Sequence, residues 1–208
     1  NLDSILNAGR EIGMMSKYGG GTSCYLGNIR PRGSVISTGG HADGPVHYAR
    51  IYDTVVDVCK QSEARRGACA AYLPLEHPDI MEFLDIGTEG NPIQNLQYGI
   101  TVGDTWMEEM KEGDRKKRKI WAKIIQRRSE FGFPYIMFKD SSNRNSPYKD
   151  IGLEITASNL CSEIQLPTDS YNSFVCCLGS INVLHWDEIK ETDAIQTYVY
   201  FLNAVMDE

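Results

Sequence analysis

The chain has 208 residues, enough for one domain with a sizeable core or two small ones. With 41% hydrophobic and 24% charged residues, its composition is that of a folded globular protein, which excludes collagen-like, disordered and coiled-coil classes. The net charge of −7 argues against a broad electropositive surface for wrapping nucleic acid, while leaving room for a local site that takes a small phosphorylated ligand.

Apolar spacing predicts a helix over residues 3–17, the glycine cluster Gly19–Gly21, and an apolar run from Cys24 to Ile29 that turns at Pro31–Ser34. A helix follows over Val46–Cys59, then a short buried strand over Ala68–Leu73. Glu76–Leu84 reads as helical and Leu96–Val102 as a strand. Asp104–Lys111 reads as a helix with Asp104 at its N-cap, and Arg115–Phe131 as a longer amphipathic helix. Pro134–Phe138 is the next strand and Lys139–Asp150 a polar loop. Ser158–Ile164 alternates polar and apolar residues, Pro167–Asn172 turns the chain, Phe174–Val183 is strand-like, and Asp187–Met206 is a helix capped near Asp187. Strands separated by helices predict an α/β fold with parallel strand pairs, in one domain spanning 1–208.

No stretch approaches the roughly 18 apolar residues of a membrane span. The N-terminus has neither initiator Met nor a signal-peptide layout, and the last residues are still in a helical pattern. The sequence therefore reads as a cytoplasmic protein, and as a segment of something longer.

The six cysteines include no C-x-x-C pair, and the four histidines lie apart from them, so no metal site is expected. Most of these thiols read as buried small hydrophobes. Trp106, Trp121, Trp186 and His77 read as packing residues, Gly19–Gly21 as a flexible turn, and Lys111–Lys119 as a solvated helix start or an exposed loop.

The densest polar constellation is Asn159-Leu-Cys-Ser-Glu163. In an extended segment, Asn159, Cys161 and Glu163 would point to one side and offer a single ligand an amide, a sulfur and a proton-exchanging carboxylate. The other reading of the same residues is a surface strand with a buried cysteine. Cys176 could return beside Cys161 across the Pro167–Asn172 turn; extended backbone would send Cys176 and Cys177 to opposite faces.

Asn159–Ile164 followed by Leu166-Pro-Thr168 resembles the catalytic loop of the large subunit of class I (aerobic) ribonucleotide reductases. The same resemblance runs through Leu2–Ile5, Lys17–Gly21, Gly27–Ser34, Arg65–Ala68, His77–Ile80, Gly132–Phe138 with Asn143-Arg-Asn145, and Cys176–Asn182, in the family's order. It implies the first half of a ten-stranded α/β barrel with a central finger loop.

By that resemblance Cys161 is the thiyl radical that abstracts the ribose 3′ hydrogen. Glu163 is the acid/base at the 3′-hydroxyl, and Asn159 the amide that binds the ribose. Cys176 is one of the two cysteines oxidised as substrate is reduced; the position of its partner precedes Asn1. Gly21, Arg66, Leu160 and Ser162 match substrate contacts. Asn1, Leu2, Arg30 and Ser37 match the allosteric effector site, with Ser37 standing where some members have a phosphate-binding arginine and Arg32 the candidate substitute. Gly33–Gly40 and Lys60–Gly67 match the loops that carry the effector signal.

The implied substrate is a ribonucleoside diphosphate and the implied effectors are dNTPs and ATP. The radical would come from a metal-containing small subunit, with no cofactor held by this chain. A thioredoxin- or glutaredoxin-type dithiol would act as reductant, and the large subunit would form a homodimer. The alternatives are a cobalamin-dependent member of the superfamily and a nucleotide-binding piece of a split subunit, inactive alone.

Overall fold

The computed structural model describes residues 1–37, 39–62, 65–169 and 171–207. Its contacts fall into two compact units, Asn1–Ser170 and Tyr171–Glu208.

In the first unit the elements run α1 (Leu2–Lys17), β1 (Gly21–Tyr25), α2 (Pro45–Val58), β2 (Ala68–Pro74), α3 (Ile80–Phe83), β3 (Gln97–Val102), α4 (Asp104–Glu112), α5 (Arg115–Phe131), β4 (Tyr135–Phe138) and α6 (Lys139–Arg144). The strands form one sheet in the order β1-β2-β3-β4, every neighbouring pair parallel. Parallel neighbours need crossover connections, and helices supply three of them here.

Local chemistry explains where the helices begin and end. Asn1 caps α1 by accepting from Ser4 N at 2.9 Å. Pro45 opens α2, where a missing N–H costs nothing. Asp114 caps α5 by accepting from Lys117 N at 2.9 Å, and Gly132 ends that helix in the left-handed region at φ 80°. Asp104 is not the cap of α4 but its first helical residue; its own N–H donates to Asp140 Oδ2 at 2.7 Å, so the acceptor comes from α6. Lys139–Arg144, expected as loop, forms that short α6, which buries none of its residues and so leaves no apolar stripe for a sequence to display.

The two faces of the sheet differ. Cys69, Ala71 and Leu73 of β2 and Tyr98, Ile100 and Val102 of β3 join Ile12, Val46, Tyr52, Val56, Trp106, Ile120 and Ile124 from the helices in the core. By the period of two along a strand, Ala70 and Tyr72 of β2 and Gln97, Gly99 and Thr101 of β3 point to the opposite face. That face receives the candidate site.

In the second unit, residues 171–182 are irregular among the described residues, so Phe174–Val183 does not form the expected strand. A 3₁₀ turn (Val183–His185) leads into α7 (Trp186–Ile189) and α8 (Ala194–Asp207). The single helix expected over Asp187–Met206 is thus broken, with Thr192 Oγ1 donating to Ile189 O at 2.7 Å inside the break. Trp186, expected to pack, is 48% exposed, whereas Trp106 is 4% exposed and sits against Trp121 with ring centroids 6.2 Å apart.

Candidate functional site

The loop Ser158–Ile164 is a turn, not an extended segment. Ser162 N donates to Asn159 O at 3.2 Å, and Ser162 takes φ 69°, a conformation that few residues other than glycine adopt. The amide of Asn159 faces inward: its Oδ1 accepts from Ile164 N at 3.0 Å, and the residue is 7% exposed. Ser158, 1% exposed, donates from Oγ to Ile164 O at 2.6 Å. Side-chain bonds to nearby backbone compete with a strand ladder, and here they win. Asn159 is therefore interior while Cys161 and Glu163 are exposed, which replaces the one-sided alternation expected of an extended run.

Three anchors hold this turn. Tyr72 Oη, from β2, donates to Asn159 O at 2.9 Å. Leu160 lies on the backbone of Gly21 at the start of β1, so close that a Cβ there would fall 2.3 Å from Leu160 Cδ2. Upstream, Asn143 of α6 pairs with Ile155 in both directions, accepting from Ile155 N at 2.8 Å and donating to Ile155 O at 3.0 Å. An amide used this way imitates a strand partner and fixes the approach to the turn.

Burial raises the phenol of Tyr72 above its ordinary pKa, with side-chain hydrogen bonds from Ser162 and Ser158 pulling the other way. Tyr135 of β4 is raised too, first by burial and then by the charge of Cys161; its hydroxyl donates to Gln97 Oε1 at 3.0 Å. Both phenols therefore remain protonated donors at neutral pH. Beside the turn lies a cavity of about 340 Å³ lined by Ile136–Phe138, Ser141, Ser142, Asn145, Ser162 and Gln165.

Gly21, Asn159, Leu160, Cys161, Ser162 and Glu163 thus come together on one patch of the first unit. Arg66 is exposed just before β2; Glu63 and Ala64 of its loop, and Thr38 of the loop after β1, lie outside the described residues. Arg30 and Ser37 share the loop after β1, where Val35 and His41 form a bridge and Arg30 Nη1 donates to Val35 O at 3.4 Å. Asn1 and Leu2 sit elsewhere, at the start of α1. Arg32 is not poised as a spare phosphate ligand: its guanidinium grips Glu82 through two bonds of 3.0 and 2.6 Å, and its N–H donates to Asp79 Oδ2 at 2.8 Å. His77 is structural as expected, 7% exposed and 2.9 Å from Ile29 O through Nε2.

Among the cysteines only Cys69 is fully buried; Cys161 and Cys176 are exposed and the other three intermediate, so the expectation of mostly buried thiols fails. Cys176 belongs to the second unit, where Cys177 Sγ donates to Leu202 O at 3.5 Å. Among the described residues no group of three or more His, Cys, Asp or Glu side chains could hold a metal ion, and no helix is long and apolar enough to cross a membrane.

Sequence reasoning gave Tyr72 no part in the site, and it named Ser158, Asn143 and the block containing Tyr135 without assigning any of them a role there. For Tyr72 a signal existed: one large phenol in a strand of small residues, Ala68-Cys-Ala-Ala-Tyr72, with a glycine available in the next strand.

Comparison with known proteins places these features. The chain superposes over its whole length on the Actinobacillus ureae class Id ribonucleotide reductase alpha subunit, with TM-score 0.92 and 50% identity, covering 38% of that protein. It is 32% identical to the vitamin B12-dependent ribonucleoside-diphosphate reductase of Thermoplasma acidophilum, covering all of this chain and 29% of that one. It is 28% identical to the ribonucleoside-diphosphate reductase large subunit of Vaccinia virus, again along its full length and over 33% of the relative. The chain thus spans about a third of the proteins it matches. Residues 1–117 and 113–208 both match the ribonucleotide reductase barrel domain, and with the parallel α/β sheet and the anchored cysteine turn already in view, the chain belongs to that family.

Proposed function

We propose that this chain is the part of a ribonucleoside-diphosphate reductase large subunit that carries the catalytic turn, and that Cys161 is its radical residue. The observation that carries the reading is the exposed thiol of Cys161 at the tip of a turn pinned to the sheet by Tyr72 and by Leu160 on Gly21. Hydrogen abstraction requires reacting atoms held about 3–3.5 Å apart, and a turn referenced to a buried sheet can hold a sulfur that well.

The oxidising equivalent that converts Cys161 to a thiyl radical is borrowed from a metal-containing small subunit, since amino-acid side chains do not generate it unaided. Cys161 then takes the 3′ hydrogen atom of the substrate ribose, becoming a thiol and leaving a carbon radical at C3′. Glu163 accepts the 3′-hydroxyl proton, and Asn159 assists at the sugar as the 2′-hydroxyl departs as water. Two electrons and two protons come from a dithiol, Cys176 and a second cysteine, which closes to a disulfide and is reset by a thioredoxin- or glutaredoxin-type reductant. Once the 2′ position has been reduced, the thiol of Cys161 returns the hydrogen atom to C3′ and is a thiyl radical again, as Glu163 returns its proton to the 3′-oxygen. Gly21, Leu160, Ser162 and Arg66 border the substrate. Asn1, Leu2, Arg30 and Ser37 receive a dNTP or ATP effector within a homodimer of large subunits.

Higher identity to the class Id alpha subunit, 50% against 32% for the cobalamin-dependent relative, favours the class I reading. The full-length subunit with its small subunit tests it. Cys161→Ser should abolish dNDP formation while substrate binding stays within about twofold. Retained turnover would remove Cys161 from the mechanism. Reduction that needs adenosylcobalamin and no small subunit would establish the cobalamin alternative, and dNTP binding without any dNDP formation the nucleotide-binding one.

A further inference from the structure

Tyr72 is fully buried, yet its hydroxyl emerges at the catalytic turn. The path is set by a glycine. Tyr72 and Gly99 are register partners on β2 and β3, and a Cβ at Gly99 would fall 2.3 Å from Tyr72 Cε1 and 2.7 Å from Cδ1. The ring therefore lies flat across the neighbouring strand, in the space a side chain would otherwise take. At its far end the hydroxyl donates to Asn159 O, the same oxygen that accepts Ser162 N and closes the turn around Cys161. One carbonyl thus carries both the closure of the turn and its attachment to the sheet.

We propose that Tyr72 is a positioning residue for Cys161, its phenol setting the height and direction of the turn relative to the sheet. The inference rests on the reading of Cys161 as the hydrogen-abstracting group and adds to it the group that aims it. The physical ground is a division of labour between anchors. The bonds of Asn159 Oδ1 and Ser158 Oγ to Ile164 lie within the turn and give it shape, but neither refers it to anything outside. Leu160 on Gly21 is an apolar contact, which resists separation and permits sliding. The Tyr72 bond is directional and ends on a ring whose freedom the sheet has removed. A displacement of about 1 Å at a reacting atom costs on the order of a hundredfold in rate, so a directional anchor on the turn itself matters more to catalysis than to stability.

Tyr72→Phe in the full-length large subunit, assayed with its small subunit, tests this directly. The ring still fills the space over Gly99 and only the hydroxyl is lost. We expect kcat to fall by about tenfold or more, with the substrate KM and effector affinity unchanged within about twofold. In parallel, the rate of iodoacetamide alkylation at Cys161, followed by peptide mass spectrometry without the small subunit, should change by about threefold or more as the turn loses its reference.

A variant with kcat and Cys161 alkylation both within about twofold of the parent would overturn the proposal, as would a loss confined to KM. A Tyr72→Phe protein that does not fold, judged by circular dichroism, would make the hydroxyl a fold requirement and overturn it too. The outcome for the reductase reading is separate. A Cys161→Ser protein that still turns over, combined with altered Cys161 alkylation in Tyr72→Phe, would sink the radical role of Cys161 and leave Tyr72 as the anchor of the turn.

Discussion

Two glycines let the sheet face approach its neighbours, and they differ in what they face. At Gly21 the added methyl would meet Leu160 Cδ2, the free end of a flexible side chain that can rotate aside. At Gly99 it would meet the Tyr72 ring, which is 0% exposed and has nowhere to go. Gly99→Ala should therefore cost about 1–3 kcal/mol, the usual range for overpacking, and Gly21→Ala clearly less. Urea unfolding of the two variants decides: equal midpoints would mean that the ring yields as easily as the leucine. Neither substitution introduces backbone strain, because neither glycine has a positive φ. The lesson for reading such a strand is that a lone glycine opposite a large aromatic residue signals a crossing side chain, which neither residue reveals separately.

At the scale of elements, the entry to β3 depends on one carboxylate from α2. Asp53, 6% exposed, accepts from Gln94 N at 3.1 Å, Asn95 N at 2.7 Å and Leu96 N at 3.0 Å, with Asn95 Nδ2 on its second oxygen at 3.1 Å. Asp53→Ala would strand several backbone donors at once, and since each unsatisfied buried group costs about 1–3 kcal/mol we expect a loss of roughly 3 kcal/mol or more, seen as a lower urea midpoint with an unchanged m-value. A cost under about 1 kcal/mol would show that water replaces the carboxylate.

The same contrast between local and non-local causes decides what the sequence discloses. Helices α1 and α5 show an apolar stripe and a local side-chain cap, α2 shows a stripe opened by Pro45, and β2, β3 and β4 are apolar runs between turn residues, so all six are legible. Short, unburied α6 has no stripe to read. Phe174–Val183 has strand-forming residues and no strand, because a strand also requires an edge to pair with, which no local pattern supplies. The candidate turn is legible through its rare grouping of amide, thiol and carboxylate. Its geometry is not, since that depends on Asn159 bonding five residues ahead and on Tyr72 arriving from a strand 87 residues earlier.

Over the molecule as a whole, burial is distributed unevenly. All the residues of the hydrophobic core cluster belong to the first unit, from Ile12 to Ile124. In the second unit α7 and α8 bury none of their residues, and Val199, Tyr200, Phe201, Val205 and Met206 of α8 are exposed large hydrophobics. A segment of fewer than about 40 residues rarely encloses a core unaided, and helix stability in proteins comes mostly from tertiary packing of an apolar face. Exchange protection follows the number of buried contacts that must open together. In the 208-residue chain, amides of β2 and β3 should therefore be the slowest to exchange. Those of α8 should exchange faster by about two orders of magnitude or more, a gap of roughly 3 kcal/mol in opening free energy. Hydrogen exchange with peptide-level mass spectrometry measures the gap. Equal protection across β2, β3 and α8 would show that the second unit gains its stability from burial that its own residues do not provide, and would defeat the prediction.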